Sequence, residues 1–211
     1  MNVIELNSIS KKYGSKKILD QFTLKIVENE ILAITGPSGH GKTTILNIIG
    51  LLENYDDGEL VIDGQKNIKV NSAKATIALR EKIGYLFQNF ALVDDETVYY
   101  NLNLALRYVQ KRKKEKNELI LKTLKDVGLE GFEKQKVYAL SGGEQQRVAI
   151  ARIILKPCKV ILADEPTGSL DEENRDLVLD LLKKLNNMGK TIVLVTHDKF
   201  VANWCDRIVN I

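Results

Sequence analysis

Glu30-Ile31-Leu32-Ala33-Ile34-Thr35-Gly36-Pro37-Ser38-Gly39-His40-Gly41-Lys42-Thr43-Thr44 decides the fold. The run from Glu30 to Thr35 is short and apolar and ends at a glycine, which reads as a strand buried on both faces. Gly36 to Thr43 fits G-x-x-x-x-G-K-[ST], and the motif is flanked as its chemistry needs. Downstream, Ile45, Leu46, Ile48, Ile49 and Leu52 follow a helical spacing over 43–52. Glycines let the backbone curl so that several N–H groups face one point, and the helix N-terminus adds partial positive charge there. Gly36, Ser38, Gly39, His40 and Gly41 therefore form a phosphate cradle acting through backbone donors. The His40 imidazole is expected to point away. Lys42 supplies a mobile charge for β- and γ-phosphates, Thr43 offers a hydroxyl to Mg²⁺, and Thr44 donates to a phosphate oxygen. The expected ligands are ATP and Mg²⁺.

Outward from this loop, strands precede it and an α/β alternation follows it. Val3 to Leu6 and Phe22 to Ile26 read as strands around a turn at Tyr13-Gly14-Ser15, and Leu60-Val61-Ile62 is a strand closed by Asp63-Gly64. Ile83 to Phe87 is a further strand. Asn101 to Val127 is helix-like, with Leu102, Leu106 and Val109 on one face and Leu119, Leu121 and Leu124 later. Within it, Lys111-Arg112-Lys113-Lys114-Glu115-Lys116 reads as a solvated helix-loop-helix edge, because no aromatic residue is interleaved as a nucleic-acid surface would need. After Gly143, helices at 145–155 and 173–187 alternate with buried strands at 159–163 and 191–196. The class is α/β, a parallel sheet covered on both faces, with a helical subdomain at about 97–140 inserted in a single domain of residues 1–211.

Two more stretches carry chemistry. The apolar run Val160 to Ala163 ends in Asp164-Glu165. Ligands of parallel sheets bind beyond the carboxyl ends of strands, so both acids should lie near the phosphate loop. Strand alternation would turn them in different directions, with Asp164 toward the magnesium shell and Glu165 toward an attacking water as general base. Leu140-Ser141-Gly142-Gly143-Glu144-Gln145 opens a helix with a hydroxyl and two glycines, a second phosphate-contacting surface. One γ-phosphate needs only one loop, so the Ser141 and Gly143 surface should serve a neighbouring molecule. Asp171, taken alone, reads as a helix N-cap.

These motifs together resemble the nucleotide-binding subunit of an ABC transporter, over essentially the whole chain. Ser141 to Gln145 is similar to that family's signature, and Gly36–Thr43 and Asp164-Glu165 to its two Walker motifs. The resemblance implies a phosphate-loop NTPase core with an N-terminal antiparallel β subdomain. It also implies a head-to-tail dimer of two copies sandwiching two ATP molecules. It assigns Tyr13 to adenine stacking, Gln88 to sensing Mg²⁺ and water, Asp171 to communication between sites, and His197 to the γ-phosphate. The stretch 161–171 and Asn47-Ile48-Ile49-Gly50 are similar to the macrolide-export and lipoprotein-release group. Phe87 to Leu92 with Glu96-Thr97-Val98 resembles peptide or bacteriocin exporters. His40 departs from the small residue usual at its position. The resemblance implies an ATPase coupled to transport through a separate membrane permease. A regulatory ATPase of a membrane complex and a soluble non-transport ATPase are the alternatives.

Bulk properties fit. The 211 residues are 44% hydrophobic, enough for a sizeable core, and the net charge of +3 is too small to argue for nucleic acid as a partner. Cys158 and Cys205 read as ordinary buried residues of a reducing compartment. No stretch reaches the ~18 apolar residues of a membrane span, and Met1 to Lys11 lacks a signal-peptide core. The expected location is cytoplasmic, peripheral on the inner face of the membrane through the permease. Ending at Ile211, the chain is expected to lack the C-terminal regulatory domain of some importers.

Overall fold

The computed structural model describes residues 1–211. Two sheets organise it. An antiparallel sheet has the order β2-β1-β4-β5, made of β1 (Asn2–Tyr13), β2 (Lys16–Val27), β4 (Asp57–Ile62) and β5 (Gln65–Lys66). A parallel sheet has the order β6-β7-β8-β3-β9, made of β6 (Ile83–Leu86), β7 (Val160–Asp164), β8 (Thr191–Val195), β3 (Ile31–Thr35) and β9 (Arg207–Asn210).

The parallel strands are apolar throughout because both faces are covered. Period-two alternation sends Ile31, Ala33, Ile161, Ala163, Ile192 and Leu194 to one core, and Leu32, Ile34, Val160, Leu162, Val193 and Val195 to the other. The first core is closed by α3 (Val98–Ala105), α4 (Lys113–Asp126), α5 (Gly142–Leu155), α6 (Glu172–Asn187) and α7 (Lys199–Trp204). The second is closed by α1 (Lys42–Ile49), α2 (Ala73–Glu81) and the antiparallel sheet. Because β6, β7, β8 and β3 all run parallel, their carboxyl ends line up on one edge. Gln88, Asp164-Glu165, His197 and the phosphate loop follow those four strands.

As the helix-loop-helix reading expected, 101–127 holds two helices, α3 ending at Ala105 and α4 beginning at Lys113. α4 starts afresh at its N-cap Arg112, whose N–H donates to Glu115 Oε2 at 2.8 Å. Several expectations are corrected. Leu121 is on the exposed face of α4, so the later apolar face runs through Ile120 and Leu124 instead. Helix α1 ends at Ile49, which leaves Leu52 exposed beyond it. Cys158 is buried but Cys205 only partly so. Helix α2, helix α7 and strand β9 had no expectation. The basic stretch at 111–116 is a largely exposed edge between α3 and α4, as expected. No helix is long and apolar enough to cross a membrane.

Candidate nucleotide site

Gly41 sits at the start of α1 with φ 94°, in the left-handed region where only glycine is unstrained. A Cβ there would also stand 2.8 Å from the Ile18 side chain, so the loop's last turn excludes any larger residue. The geometry brings the helix N-terminus onto a cavity of about 560 Å³. Ser38, Gly39, Gly41, Lys42, Thr43 and Thr44 line it from the loop, Tyr13, Lys16 and Ile18 from β1 and β2, and Gln88, Asp164, Glu165, Val195 and His197 from the strand ends. Lys16, Ile18 and Val195 were not anticipated. Their signal was only adjacency to Tyr13 and to His197.

Within the cavity, Thr43 Oγ1 donates to Asp164 Oδ1 at 3.5 Å. Burial holds the Asp164 carboxyl above the usual carboxylate range. The Thr43 hydroxyl opposes this, and Glu165's charge adds to it. The Lys42 ammonium folds back onto the carbonyls of Gly36 (2.8 Å) and Pro37 (2.9 Å). Thr43 and Asp164 are hard oxygen donors with the Gln88 amide in the same cavity, a set that suits Mg²⁺. No group of three or more His, Cys, Asp and Glu side chains is arranged to hold a metal ion by itself. A cation here would therefore take its remaining ligands from phosphate oxygens and water.

Glu165 follows the end of β7 with φ 47°. Its direction comes from this left-handed turn, and not from strand alternation as the sequence suggested. A non-glycine residue there costs about 1–2 kcal/mol. The Glu165 N–H bond to the Val195 carbonyl (3.0 Å) helps hold it. Its carboxylate meets His197 Nδ1 at 2.8 Å, and that bond raises the His197 pKa above its ordinary value of 6.5. His197 rides on a tight turn in which Asp198 N–H donates to Thr196 Oγ1 at 3.1 Å. Tyr13 donates to Glu53 and carries the Lys11 ammonium 5.2 Å from its ring centroid. Burial is the first cause raising its pKa, followed by the Glu53 bond.

Two residues expected in the phosphate cradle, Gly36 and His40, do not line this cavity, and His40 is exposed. Gly36 is instead a packing glycine, since a Cβ would collide with the Ile211 carbonyl oxygen. Ser141, Gly143 and Asp171 belong to a different surface. Ser141 caps α5, with its Oγ donating to Glu144 Oε2 at 2.8 Å and its N–H to the same oxygen at 2.7 Å. It lines a separate polar cavity of about 530 Å³ with Glu144, Arg147 and Asn174. Asp171 caps α6, accepting Asn174 N–H at 2.8 Å, and that backbone bond holds its carboxyl below the usual range. Asn174 ties these pieces together. Its Nδ2 donates to both Asp171 oxygens at 3.0 Å, its Oδ1 accepts from Arg147 Nη1 at 3.0 Å, and a Cβ on Gly143 would sit 2.5 Å from that oxygen. Asn174 and Arg147 gave no sequence signal, because a helix-surface Asn and Arg look like solvated residues.

Beside the first cavity, the loop after Gln88 bends sharply. Phe90 (φ 63°) and Ala91 (φ 48°) are both left-handed, each costing about 1–2 kcal/mol. An apolar groove of about 480 Å³ runs alongside, lined by Leu52, Leu79, Ile83, Tyr85, Phe87, Leu104 and Tyr108 together with Arg80, Arg152 and Lys156.

The ABC transporter family model matches residues 19–168, more than half of the chain. The chain belongs to the ABC transporter family and is an ATPase of that class. Among curated members, it is 38% identical over 215 residues to the macrolide export ATP-binding/permease protein MacB of Mannheimia succiniciproducens, and 39% over 213 residues to MacB of Escherichia coli. These alignments cover 100% and 99% of this chain but 33% of each relative, so the chain spans about a third of their length. It is 40% identical to the uncharacterized ABC transporter ATP-binding protein YvrO of Bacillus subtilis, covering 98% of this chain and 92% of that one. Two solved structures of the ABC cassette MJ0796 superpose over 99% of this chain and 94% of theirs. One is a bacterial transporter cassette described as dimeric (TM-score 0.90, 41% identity), the other a dimeric post-hydrolysis state bound to ADP and Pi (TM-score 0.89, 40% identity).

Proposed function

We propose that the chain is the ATP-driven motor of an export complex. It works as a head-to-tail pair of copies coupled to a membrane permease and sits on the inner face of the membrane. The observation that carries this reading is the split of the ABC chemistry. Lys42, Thr43, Asp164, Glu165 and His197 meet at one cavity, while Ser141 opens onto another surface, with Gly143 buried behind it under Asn174. A cassette of this kind has a base and a cradle at one place and a second set of phosphate donors to lend to its partner copy. The MJ0796 cassettes, dimeric and in one case bound to ADP and Pi, support pairing around nucleotide. The names of the MacB relatives support export and a permease, macrolides being the substrate class named there. Peptides, bacteriocins and lipoproteins are the other candidates from the sequence resemblance.

In this reading Lys42 leaves the Gly36 and Pro37 carbonyls for the β- and γ-phosphates. Tyr13 offers its ring to the adenine, with Lys11 on one side of it. Glu165 accepts the proton of the attacking water, and its bond to His197 fixes the carboxylate's direction. Thr43, Asp164 and Gln88 would hold Mg²⁺, which neutralises phosphate charge when bound. Ser141 and Gly143 of one copy complete the site of the other, and Asp171 lies at the joint between the two. The inserted helices at 97–140 carry Ser141 toward the partner, and the permease engages the groove beside Gln88.

Glu165→Gln tests the core of this reading. Turnover should fall by ~10²–10⁴-fold, the range of a lost general base, while ATP affinity by calorimetry is retained. A variant that hydrolyses ATP at the wild-type rate would remove Glu165 from the mechanism.

A further inference from the structure

The segment after Gln88 is held by two side chains that phosphate chemistry does not use. Phe90 and Ala91 are consecutive non-glycine residues in the left-handed region, an arrangement that persists only when its surroundings hold it. Arg152 is the holder. Its Nη2 donates to the Phe90 carbonyl at 2.9 Å and its Nη1 to the Ala91 carbonyl at 2.5 Å. It has no carboxylate partner among the ion pairs of the chain. Its rigid fork is committed to two adjacent backbone acceptors, a geometry that lysine cannot reproduce in full. A few residues on, fully buried Asn101 of α3 accepts Val93 N–H at 2.8 Å and donates to the Val93 carbonyl at 3.1 Å. The segment is thus pinned to α5 at one end and to α3 at the other.

Arg152 stands near the far end of α5 from Ser141 and Gly143, on a rigid helix about 21 Å long. The same side chain lines the apolar groove with Tyr85, Phe87 and Tyr108. One guanidinium therefore touches the groove, the backbone two residues beyond Gln88, and the helix that presents the second motif. We propose that Arg152 is a positioning residue that fixes Gln88 relative to the Ser141–Gly143 helix terminus, through the carbonyls of Phe90 and Ala91. The inference rests on the reading that Gln88 serves the phosphate site. Shifting the Gln88 loop must then either drag α5 with it or release the fork and let the two strained residues relax.

The test is a kinetic cycle on the full chain, at a protein concentration where specific activity no longer rises. Arg152→Gln should lower kcat at saturating ATP on the order of tenfold, with ATP affinity by calorimetry within about twofold of wild type. Arg152→Lys, which keeps the charge and one donor direction, should recover part of the loss. In a Gln88→Ala background, Arg152→Gln should lower kcat by no more than about twofold further, because both changes remove one linkage. Losses that multiply in the double variant overturn the proposal, as does an Arg152→Gln variant with unchanged kcat or with weakened ATP affinity. A Gln88→Ala variant with wild-type kcat sinks the reading of Gln88 and this proposal with it, and that single variant tells the two failures apart. If Arg152→Gln does not fold, the cycle between Arg152→Lys and Gln88→Ala carries the same test.

Discussion

The phosphate-loop face and the Ser141 face are built on opposite terms. Around the loop, groups from four strand ends and from β1 converge on one cavity, and several of them are strained or only partly satisfied. Glu165 is left-handed, Asp164 is held above its usual range by burial, and the Lys42 ammonium rests on loop carbonyls. Around Ser141 most groups pair with a near neighbour, Ser141 on Glu144, Asp171 on Asn174, and Asn174 on Arg147, though the Arg147 Nε is buried without a partner. The first face stores its chemistry for a ligand, whereas the second is a preformed rigid surface. A surface whose groups are mostly paired with one another suits a role of being presented to something else, since it needs no ligand to order it.

The comparison is most easily broken at Lys42. Lys42→Ala should weaken ATP binding by ~10–100-fold in calorimetry, as expected for loss of a charge-assisted contact to phosphate. Unchanged affinity would mean that the first face does not hold the phosphates. Ser141→Ala should do the reverse. ATP affinity of the dilute chain should stay within about twofold, while turnover at high protein concentration drops by about tenfold. An affinity loss like that of Lys42→Ala would merge the two faces into one site. Gly143→Ala probes the rigidity of the second face. Its Cβ would displace the Asn174 amide, already bonded to Asp171 and Arg147, at a cost of about 1–2 kcal/mol in chemical denaturation. A neutral result would show that the Asn174 linkage is loose.

The smallest effect is electrostatic. The Glu165 bond raises the His197 pKa, so the pair's contribution to stability is fully present below 6.5 and is lost as pH rises through the folded-state value above it. The thermal midpoint of the ligand-free chain should therefore fall slightly over that interval, and His197→Gln should flatten the trend. His197 is 72% exposed, so solvent screening keeps the change small. An identical pH profile in the variant would assign the trend to other groups.

Part of this was legible without coordinates. The phosphate loop, the buried strands and α5 and α6 follow from glycine spacing and apolar periodicity, which are local properties. The break between α3 and α4 was legible as the basic run at 111–116 between two apolar stretches, and the Arg112 N–H bond to Glu115 marks where α4 begins. Helix α2 was not legible. Its only fully buried residues are the small Ala75 and Ala78, and its larger apolar residues Ile77 and Leu79 are exposed or half-buried, so no clean apolar face shows in the pattern. His40 and Gly36 fell inside a motif whose spacing says nothing about which members face the cavity.

By itself the sequence determined which chemistry the chain carries. A loop with glycines at fixed positions, a lysine, a hydroxyl and an acidic strand end can be read from spacing, because each depends on near neighbours along the chain. Only the tertiary structure decided how that chemistry is divided. Strand order places β7 and β8 beside β3, so Asp164, Glu165 and His197 join the loop. The path of α5 along the opposite core carries Ser141 away from it, and Arg152 reaches a loop some sixty residues earlier in the chain. Contacts between residues so far apart are set by how sheets and helices stack, and no local pattern records them.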